Sequence, residues 1–476
     1  MTTNKDKNNK AARHGNRVVH DRQGTAYELT GKLAEGGQGV VCQTQFKNVL
    51  VKIGRHPAND PRTKAWFDHM QWVSRLPLEE LRIARPQTLI VRPRLGYVME
   101  LMDGLVPLTS LLEESIAAMR DGRGLQGFID SGGLAKRLRL LQGLCSTLAK
   151  LHGRGLAYGD LSPGNIFVSR SREHAEVWLI DCDNISLLSR EGGQKIHTPG
   201  YGAPEIMRGE SGINSLTDSW SVGVIAFELL ALLHPLKGDF VNDGESDGET
   251  AALMGGVPWV DDLDDDSNRS STGLSRDLVL TKELQELFQR CFGTGRIDAG
   301  ARPTLAEWRA GFEAAAAMLM TCGDGDGCGS SFYYNRARKC PFCDRIQDES
   351  AHLLMSHYVY APLSELEKAE FGDQSPWIAT NQRMVFGRET VELRGSPVGS
   401  VMYAESVPVC SLTLDGAGLH LEPAPGRRVA LQSQRTRETH VLDRKKRLNA
   451  AIRRGDYYML HLSDSEGMHD AWRFKW

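Results

Sequence analysis

Three side chains stand at a spacing that could transfer a phosphoryl group. In Leu-Ala-Tyr-Gly-Asp-Leu-Ser-Pro-Gly-Asn (Leu156 to Asn165), Asp160 and Asn165 are separated by four residues and followed directly by the β-rich run Ile166 to Val168. Such a transfer needs a carboxylate to orient the attacking hydroxyl and accept its proton, and an amide or carboxylate oxygen to hold a divalent ion. Sixteen residues on, Val-Trp-Leu-Ile-Asp-Cys-Asp-Asn puts Asp181 at the end of a short apolar run, as a second hard oxygen ligand. Taken singly, each could be an ordinary turn residue; strand, turn and strand together bring all three to one cleft edge. Upstream, Leu33 to Val41 supplies Gly36, Gly37 and Gly39 between two strand-like runs, a hairpin whose backbone could approach a nucleotide or could simply turn. Thirteen residues after Gly39, Lys52 sits in the alternating run Val-Leu-Val-Lys-Ile, where its ammonium could pair with phosphate oxygens or face solvent at an edge.

A second chemistry resides in the cysteines. Of nine, Cys42, Cys145, Cys182, Cys291 and Cys410 are scattered singly, while Cys322, Cys328, Cys340 and Cys343 fall within 22 positions. Cys322-x5-Cys328, eleven intervening residues and Cys340-Pro-Phe-Cys343 can present four thiolates on two turns, the donor set of a closed, structural Zn²⁺ site. The alternative is four reduced thiols. An odd count with one local cluster argues against a secreted disulfide scaffold and for a cytoplasmic protein.

The elements that must hold these groups follow from periodicity. Tyr27 to Ile53 reads as three short strands in an antiparallel meander, Pro61 to Leu76 as a helix behind them, and Gln87 to Met102 as strands again. From Leu134 the apolar residues Leu138, Leu141, Leu144, Leu148 and Leu151 recur at helical spacing, and helices dominate to Met320. Residues 237–270 carry ten acidic side chains against Lys237 and Arg269 and read as a solvated insertion. Residues 347–378 read as a mixed, partly helical connector, and the last stretch as strands around an Asp-Gly turn. The basic run Arg444 to Arg447 reads as helical. The 476 residues allow roughly three domains at ~150 each. A net charge of −3, 41% hydrophobic and 25% charged residues exclude a collagen-like, wholly disordered or membrane-embedded chain. The longest apolar stretch, Trp220 to Leu233, contains Glu228 and is short of the ~20 residues of a bilayer span.

With these residues in place the chain resembles the eukaryotic-like protein kinases over roughly 27–320. Tyr-Gly-Asp with Asp160 stands for His-Arg-Asp, and Asp181-Cys182-Asp183 for Asp-Phe-Gly. Ala203-Pro204-Glu205 matches Ala-Pro-Glu, Asp218 to Gly223 matches D-x-W-S-x-G, and Arg302 matches the arginine that pairs with that glutamate. The Ala-Pro-Glu segment separates the chain from small-molecule kinases that share only G-D-x-x-P-x-N. The resemblance implies an α+β, bilobal fold, ATP with Mg²⁺ or Mn²⁺, and Asp160 as catalytic base. It implies Asn165 and Asp181 as metal ligands and Lys52 on the α/β-phosphates. Ala34, Gly36, Gly37, Gly39 and Val41 would lie over the nucleotide, the backbone of Glu100 and Met102 would meet adenine, and Met99 would be the gatekeeper. Thr198 would shape the peptide site. The Tyr-Gly-Asp-Leu-Ser-Pro-Gly-Asn, Ile-Ala-Arg-Pro (Ile83 to Pro86) and Gly-Tyr-Val-Met-Glu-Leu-Met (Gly96 to Met102) segments further resemble a bacterial, tellurite-resistance-like group associated with PP2C-type phosphatases and von Willebrand A-domain proteins, which implies those partners.

The expected division is a disordered leader at 1–20 and a kinase domain at 21–320. The latter has lobes at 21–102 and 103–320, with the insertion at 237–270. A zinc ribbon at 321–346, a connector at 347–380 and a β-rich interaction domain at 381–476 follow. Arg336, Arg338 and Lys339 are too few to imply nucleic acid. The departures from the kinase pattern are specific. Ala34 replaces the first loop glycine, Gly159 the arginine that receives an activation-loop phosphate, Ser162 a lysine, and Cys182 and Asp183 the Phe-Gly pair. No glutamate follows Lys52 at the place of its usual helix partner; Asp68 is the nearest carboxylate. A nucleotide-binding pseudokinase scaffold is therefore the alternative to a Ser/Thr kinase with a protein substrate, and a small-molecule phosphotransferase is the third. Phe386-Gly-Arg-Glu is similar to the first loop of phosphopeptide-binding FHA domains, but no S-x-x-H accompanies it.

Overall fold

The computed structural model describes residues 18–100, 103–188, 197–244, 246–323, 327–372, 374–387, 389–395 and 406–476. The chain forms two compact units, one ending at Phe312 and the other running Glu313–Trp476.

In the first unit, β1 (Val18–Asp21), β2 (Ala26–Glu35), β3 (Gly39–Thr44), β4 (Val49–Gly54), β5 (Thr88–Arg92) and β6 (Gly96–Glu100) close a barrel in the order β1-β2-β3-β4-β6-β5. Val19, Tyr27, Val51, Ile53, Ile90 and Val98 fill it. Successive strand side chains point to opposite faces, so packing Val51 and Ile53 inward turns Lys52 to the other face of β4. The expected leader ends earlier than residue 20, because Val18, Val19 and His20 pair with β2; residues 1–17 lie outside the described residues. The helix Pro61–Val73 starts at an Asp60 cap with proline in its first turn and buries Thr63, Phe67, Met70 and Val73 along one face.

The helical part is built on Gly133–His152 and Ser215–Ala231. The first buries Leu134, Leu138, Leu141, Leu144, Leu148 and Leu151, the stripe expected from the sequence. The second begins with an Asn214/Thr217 capping box and is buried almost throughout. Beside it, Trp220, Phe227, Trp259, Phe288 and Phe292 form a chain of edge-to-face and tilted rings. Trp259 corrects the reading of 237–270. The run Asp264 to Asp266 is exposed, but Val241, Ala252, Val257, Trp259 and Val260 are buried, and Trp259 donates to Gln289 at 3.1 Å. Acidic composition concealed the few large apolar residues that anchor the segment.

The second unit begins at Glu313, in the helix Leu305–Ala317, and continues into a short hairpin, Leu319–Thr321 against Ser331–Tyr333, so the strand leading into the cysteines belongs here and the expected boundary at 320 falls inside it. A six-stranded sheet runs in the spatial order Trp377–Phe386, Leu353–Tyr360, His469–Lys475, Tyr457–His461, Val429–Ser433, Thr439–Leu442. A four-stranded sheet has the order Val391–Gly395, Val407–Asp415, Gly418–Pro423, Lys446–Asn449. Leu353, Met355, Leu412, Leu421, Leu431, Leu460, Phe474 and Trp476 form their shared core. The expected connector contains a helix, Glu365–Phe371, as read, and also Leu353–Tyr360, which lies between two other strands of the larger sheet. The basic run is not helical: Lys446–Asn449 pairs with Gly418–Leu421, with Leu448 buried and Lys446 and Arg447 exposed. Arg388 of the Phe-Gly-Arg-Glu segment lies outside the described residues.

One buried carboxyl in the helical part predicts a pH dependence. Tyr201 donates its hydroxyl to Glu228 Oε2 at 2.8 Å, and burial pushes the Glu228 carboxyl up to about 7, against the pull of Tyr201 and Lys237. As pH rises, the unfolded chain releases this proton first, so the stability the group supplies falls from about pH 4.5 to 7 and stays low above it. Glu228→Gln keeps an acceptor for Tyr201, and thermal denaturation of the variant is expected to show a gain of about 1–3 kcal/mol at pH 8 and little change at pH 5. Equal shifts at both pH values contradict burial as the cause.

Candidate functional site

The loop that carries Asp160 is held from behind by a helix start. Asp218, buried in the first turn of Ser215–Ala231, accepts the backbone N–H of Tyr158 at 2.7 Å and of Gly159 at 2.9 Å, and His152 Nε2 lies 2.9 Å from the same carboxylate. Gly159 has φ +68°, and a Cβ there would meet the Ile213 side chain at 2.6 Å, so the arginine of the resembling pattern has no room. Asp160 itself has φ +48°, a conformation that a side-chain residue keeps only when its surroundings impose it. Its carboxylate accepts from Thr198 Oγ1 at 2.7 Å. Burial raises the Asp160 carboxyl above its ordinary value, and Thr198 opposes this. Asn165 donates to the Asp160 carbonyl at 2.9 Å, and its amide oxygen, without a hydrogen-bond partner among the described residues, can face a cation. The Asn165 carbonyl accepts from Ile180 N at 3.0 Å, and this bond sets Asp181 beside it. Asp160, Asn165 and Asp181 thus lie on one edge. Tyr158, in place of histidine, is fully buried and its hydroxyl accepts from Asp181 N at 3.3 Å.

Lys52 reaches the same edge from β4. Its Nζ lies 2.8 Å from Asp181 Oδ2 and 2.7 Å from Asp183 Oδ2. Burial alone would lower the lysine, but the two carboxylates outweigh it and hold the ammonium firmly charged. The same attraction lowers Asp181 despite its burial. Asp183 is raised by burial and by the Asp181 charge. Asp68 does not approach Lys52: it is exposed on the outer face of Pro61–Val73 and accepts from Gln71. Helical spacing placed it one residue past the inward face, where Phe67 and Met70 lie. Sequence reasoning treated Asp183 as a departure and missed Trp66 and Tyr97, which donate to it at 2.7 and 2.9 Å. The only signal was a second acid two residues after Asp181.

The nucleotide-facing expectations divide. A Cβ on Gly36 or Gly37 would touch nothing, so the space over the hairpin tip is open; on Gly39 it would meet the Ile53 carbonyl at 2.5 Å, so that glycine serves the β3–β4 approach. Ala34 pairs with Val41 in the hairpin, and Gln38 at the tip donates to Asn184 at 3.1 Å. Met99 is buried on β6, which ends at exposed Glu100; Met102 lies outside the described residues. The Ile83 segment makes a parallel bridge to Leu179, with Ala84 N on the Leu179 carbonyl at 2.7 Å, and so braces the strand that delivers Asp181. Glu205 and Arg302 form a bidentate pair, both bonds 2.7 Å, with the guanidinium over Trp220.

In the second unit the four cysteine sulfurs lie within 4.8 Å of one another. Cys322 and Cys343 are 3.5 Å apart, Cys328 and Cys340 3.7 Å, too long for disulfides and near the ~3.8 Å edge of a tetrahedron with 2.3 Å metal–sulfur bonds. Backbone bonds shape both turns: Cys322 N to Ser330 O at 2.8 Å, and Cys340 N to Arg345 O at 2.8 Å. Gln347 donates to Cys322 Sγ at 3.4 Å, as a support for a thiolate would. Residues 324–326 of the long first turn lie outside the described residues.

Residues 87–309 match the protein kinase domain family. The matched stretch contains Asp160, Asn165, Asp181, Glu205 and Arg302 and leaves out the glycine hairpin and Lys52. The chain is 30% identical over 154 residues to myosin light chain kinase A of Dictyostelium discoideum, covering 31% of this chain and 45% of that protein. It is 28% identical over 212 residues to serine/threonine-protein kinase Pkn1 of Myxococcus xanthus, 43% of this chain and 29% of that one. Against serine/threonine-protein kinase pkn2 of the same organism it is 26% identical over 209 residues, 42% and 23%. The chain spans less than half the length of each of these relatives. It carries a mixed α+β protein kinase domain with Lys52 buried in ion pairs, then a four-cysteine cluster and a β-rich region.

Asp218 generates a test of the site's scaffolding. Asp218→Ala leaves the Tyr158 and Gly159 amides buried without an acceptor, and denaturant melts are expected to show a loss of about 2–4 kcal/mol. A loss under about 0.5 kcal/mol, at the level of a surface substitution, contradicts the assignment.

Proposed function

We propose that this protein is a Ser/Thr protein kinase that transfers the γ-phosphoryl group of Mg-ATP to a protein hydroxyl, with its C-terminal unit serving partner recognition. The observation that carries the reading is the convergence of Asp160, Asn165, Asp181 and Lys52 on one edge. Asp160 accepts the substrate hydroxyl's proton as that oxygen bonds to the γ-phosphorus; the bond from phosphorus to the β–γ bridging oxygen breaks and ADP leaves. Its partly desolvated carboxyl suits this role, and the Thr198 hydroxyl orients it. Asn165 and Asp181 would hold Mg²⁺ or Mn²⁺, which when bound neutralises phosphate charge. Lys52 grips the α/β-phosphates, beneath a hairpin left open at Gly36 and Gly37. The Ser/Thr preference is supported by the similarity to serine/threonine-protein kinases of Myxococcus xanthus, and by Thr198 beside the base. Partnership with a von Willebrand A-domain protein or a PP2C-type phosphatase rests on the sequence resemblance alone.

Incubation of the full chain with labelled ATP and candidate protein substrates is expected to yield phosphoprotein. Asp160→Asn is expected to lower the rate by at least ~10³-fold with little change in nucleotide affinity. Nucleotide binding without transfer by the unmodified chain would establish a scaffold instead, and transfer only to a small molecule a different kinase class.

The four cysteines are proposed to hold a structural Zn²⁺, the Sγ spacing being the support. Metal analysis of the purified chain is expected to return about one zinc per molecule, and chelation to destabilise the second unit. A chain with no bound metal and an unchanged melt on chelation rejects the site.

A further inference from the structure

We propose that Asp183 is the positioning residue for Lys52, a loop-borne carboxylate that takes the place of the helix-borne glutamate this chain lacks. The proposal rests on the reading of the cleft as a nucleotide site. The side chains are graded in depth: Asp183 is 0% exposed, Lys52 6% and Asp181 22%. Asp181 is thus the carboxylate that can turn to a cation, while Asp183 is sealed behind the ammonium. A buried carboxylate survives only if its lone pairs are satisfied, and here they are. Asp183 Oδ1 accepts from Tyr97 at 2.9 Å and Oδ2 from Trp66 at 2.7 Å, with Lys52 Nζ at 2.7 Å from the same Oδ2.

The helix Pro61–Val73 therefore inverts its expected contribution. It holds no glutamate, its one acid Asp68 is exposed, and the residue it sends into the site is Trp66, a donor aimed at the loop carboxylate. The charge that orients the lysine comes with the metal-binding loop itself, and the helix only fixes that charge through an indole N–H. An ammonium has three donors. Two meet Asp181 and Asp183, and the third has no partner among the described residues and can meet a phosphate oxygen; when Asp181 turns to a metal, Asp183 still fixes the direction of Nζ. Lysine orientation in this chain is then set by loop closure, without a carboxylate swung in on a helix.

A double-substitution cycle tests the assignment on the full chain, reading affinity for a non-hydrolysable ATP analogue with Mg²⁺ by calorimetry. Asp183→Asn is expected to weaken binding at least ten-fold in the native background and less than two-fold in Lys52→Met, since groups that act through one another are not additive. Trp66→Phe and Tyr97→Phe, which touch Asp183 and leave Lys52 intact, are expected to weaken binding two- to five-fold with the same dependence on Lys52, and they carry the test should Asp183→Asn not fold. Equal losses in both backgrounds make Asp183 a fold residue and overturn the proposal, as does an Asp183→Asn protein with native affinity. Coupling without phosphotransfer by the native chain supports Asp183 and rejects the catalytic reading; a native chain that binds no analogue overturns both.

Discussion

The buried ammonium of Lys52 is the constraint from which the first unit's site follows. A charge removed from water must be matched by opposite charge at hydrogen-bond distance or it is driven to neutrality. Here two carboxylates from one loop, at 2.8 and 2.7 Å, match it. They can do so only if β4 turns Lys52 away from the barrel core and if the strand Val177–Leu179 ends where it does. The first condition is met by Val51 and Ile53 inside the barrel, the second by Leu179 pairing with the Ile83 segment. Barrel closure and strand docking are in this sense electrostatic requirements as much as packing ones.

Two negative charges beside one positive leave an excess, and the structure disperses it. Trp66 and Tyr97 donate to the inner carboxylate, and the Asp183 amide donates to Asp181 Oδ1 at 3.0 Å. An excess of negative charge at the outer, partly exposed carboxylate is what a divalent cation would relieve. The same arrangement is seen in the loop that carries Asp160, where a single buried acid, Asp218, satisfies two backbone amides and holds Asp160 at a positive φ. The replacements Tyr158 and Gly159 are consistent with that loop: one supports the Asp181 amide, and the other fits under Ile213 where a larger residue would not.

The second unit is organised by different means. Its β-rich part buries a continuous apolar core between a six-stranded and a four-stranded sheet. The hairpin leading to the cysteines has a small core of its own, Met320, Phe332 and Val385 with Cys322 and Cys340. So few apolar residues stabilise little by burial alone; a metal held by the four sulfurs, which lie within 4.8 Å of one another, would add to its folding.

The sequence alone determined what depends on local spacing and residue type. The leucine stripe of Gly133–His152, the strands around Lys52 and the clustering of the two cysteine pairs are short-range patterns, and each is found as read; the Asp160-x4-Asn165 interval is of the same kind, and its amide bonds back to the Asp160 carbonyl. Where the expectation was wrong, a long-range contact had overridden local composition. Buried Trp259 anchors an acidic segment that looked solvated, and Leu448 pulls a basic run into a strand. Leu353–Tyr360 is a central strand because its partners lie more than a hundred residues away as well as nearby. Tertiary structure alone decided the partner of Lys52. Asp68 and Asp183 are the same residue type, and nothing in their spacing ranks them; which one meets the ammonium depends on the face that Pro61–Val73 turns inward, set by Phe67 and Met70, and on burial that makes an unpaired charge intolerable.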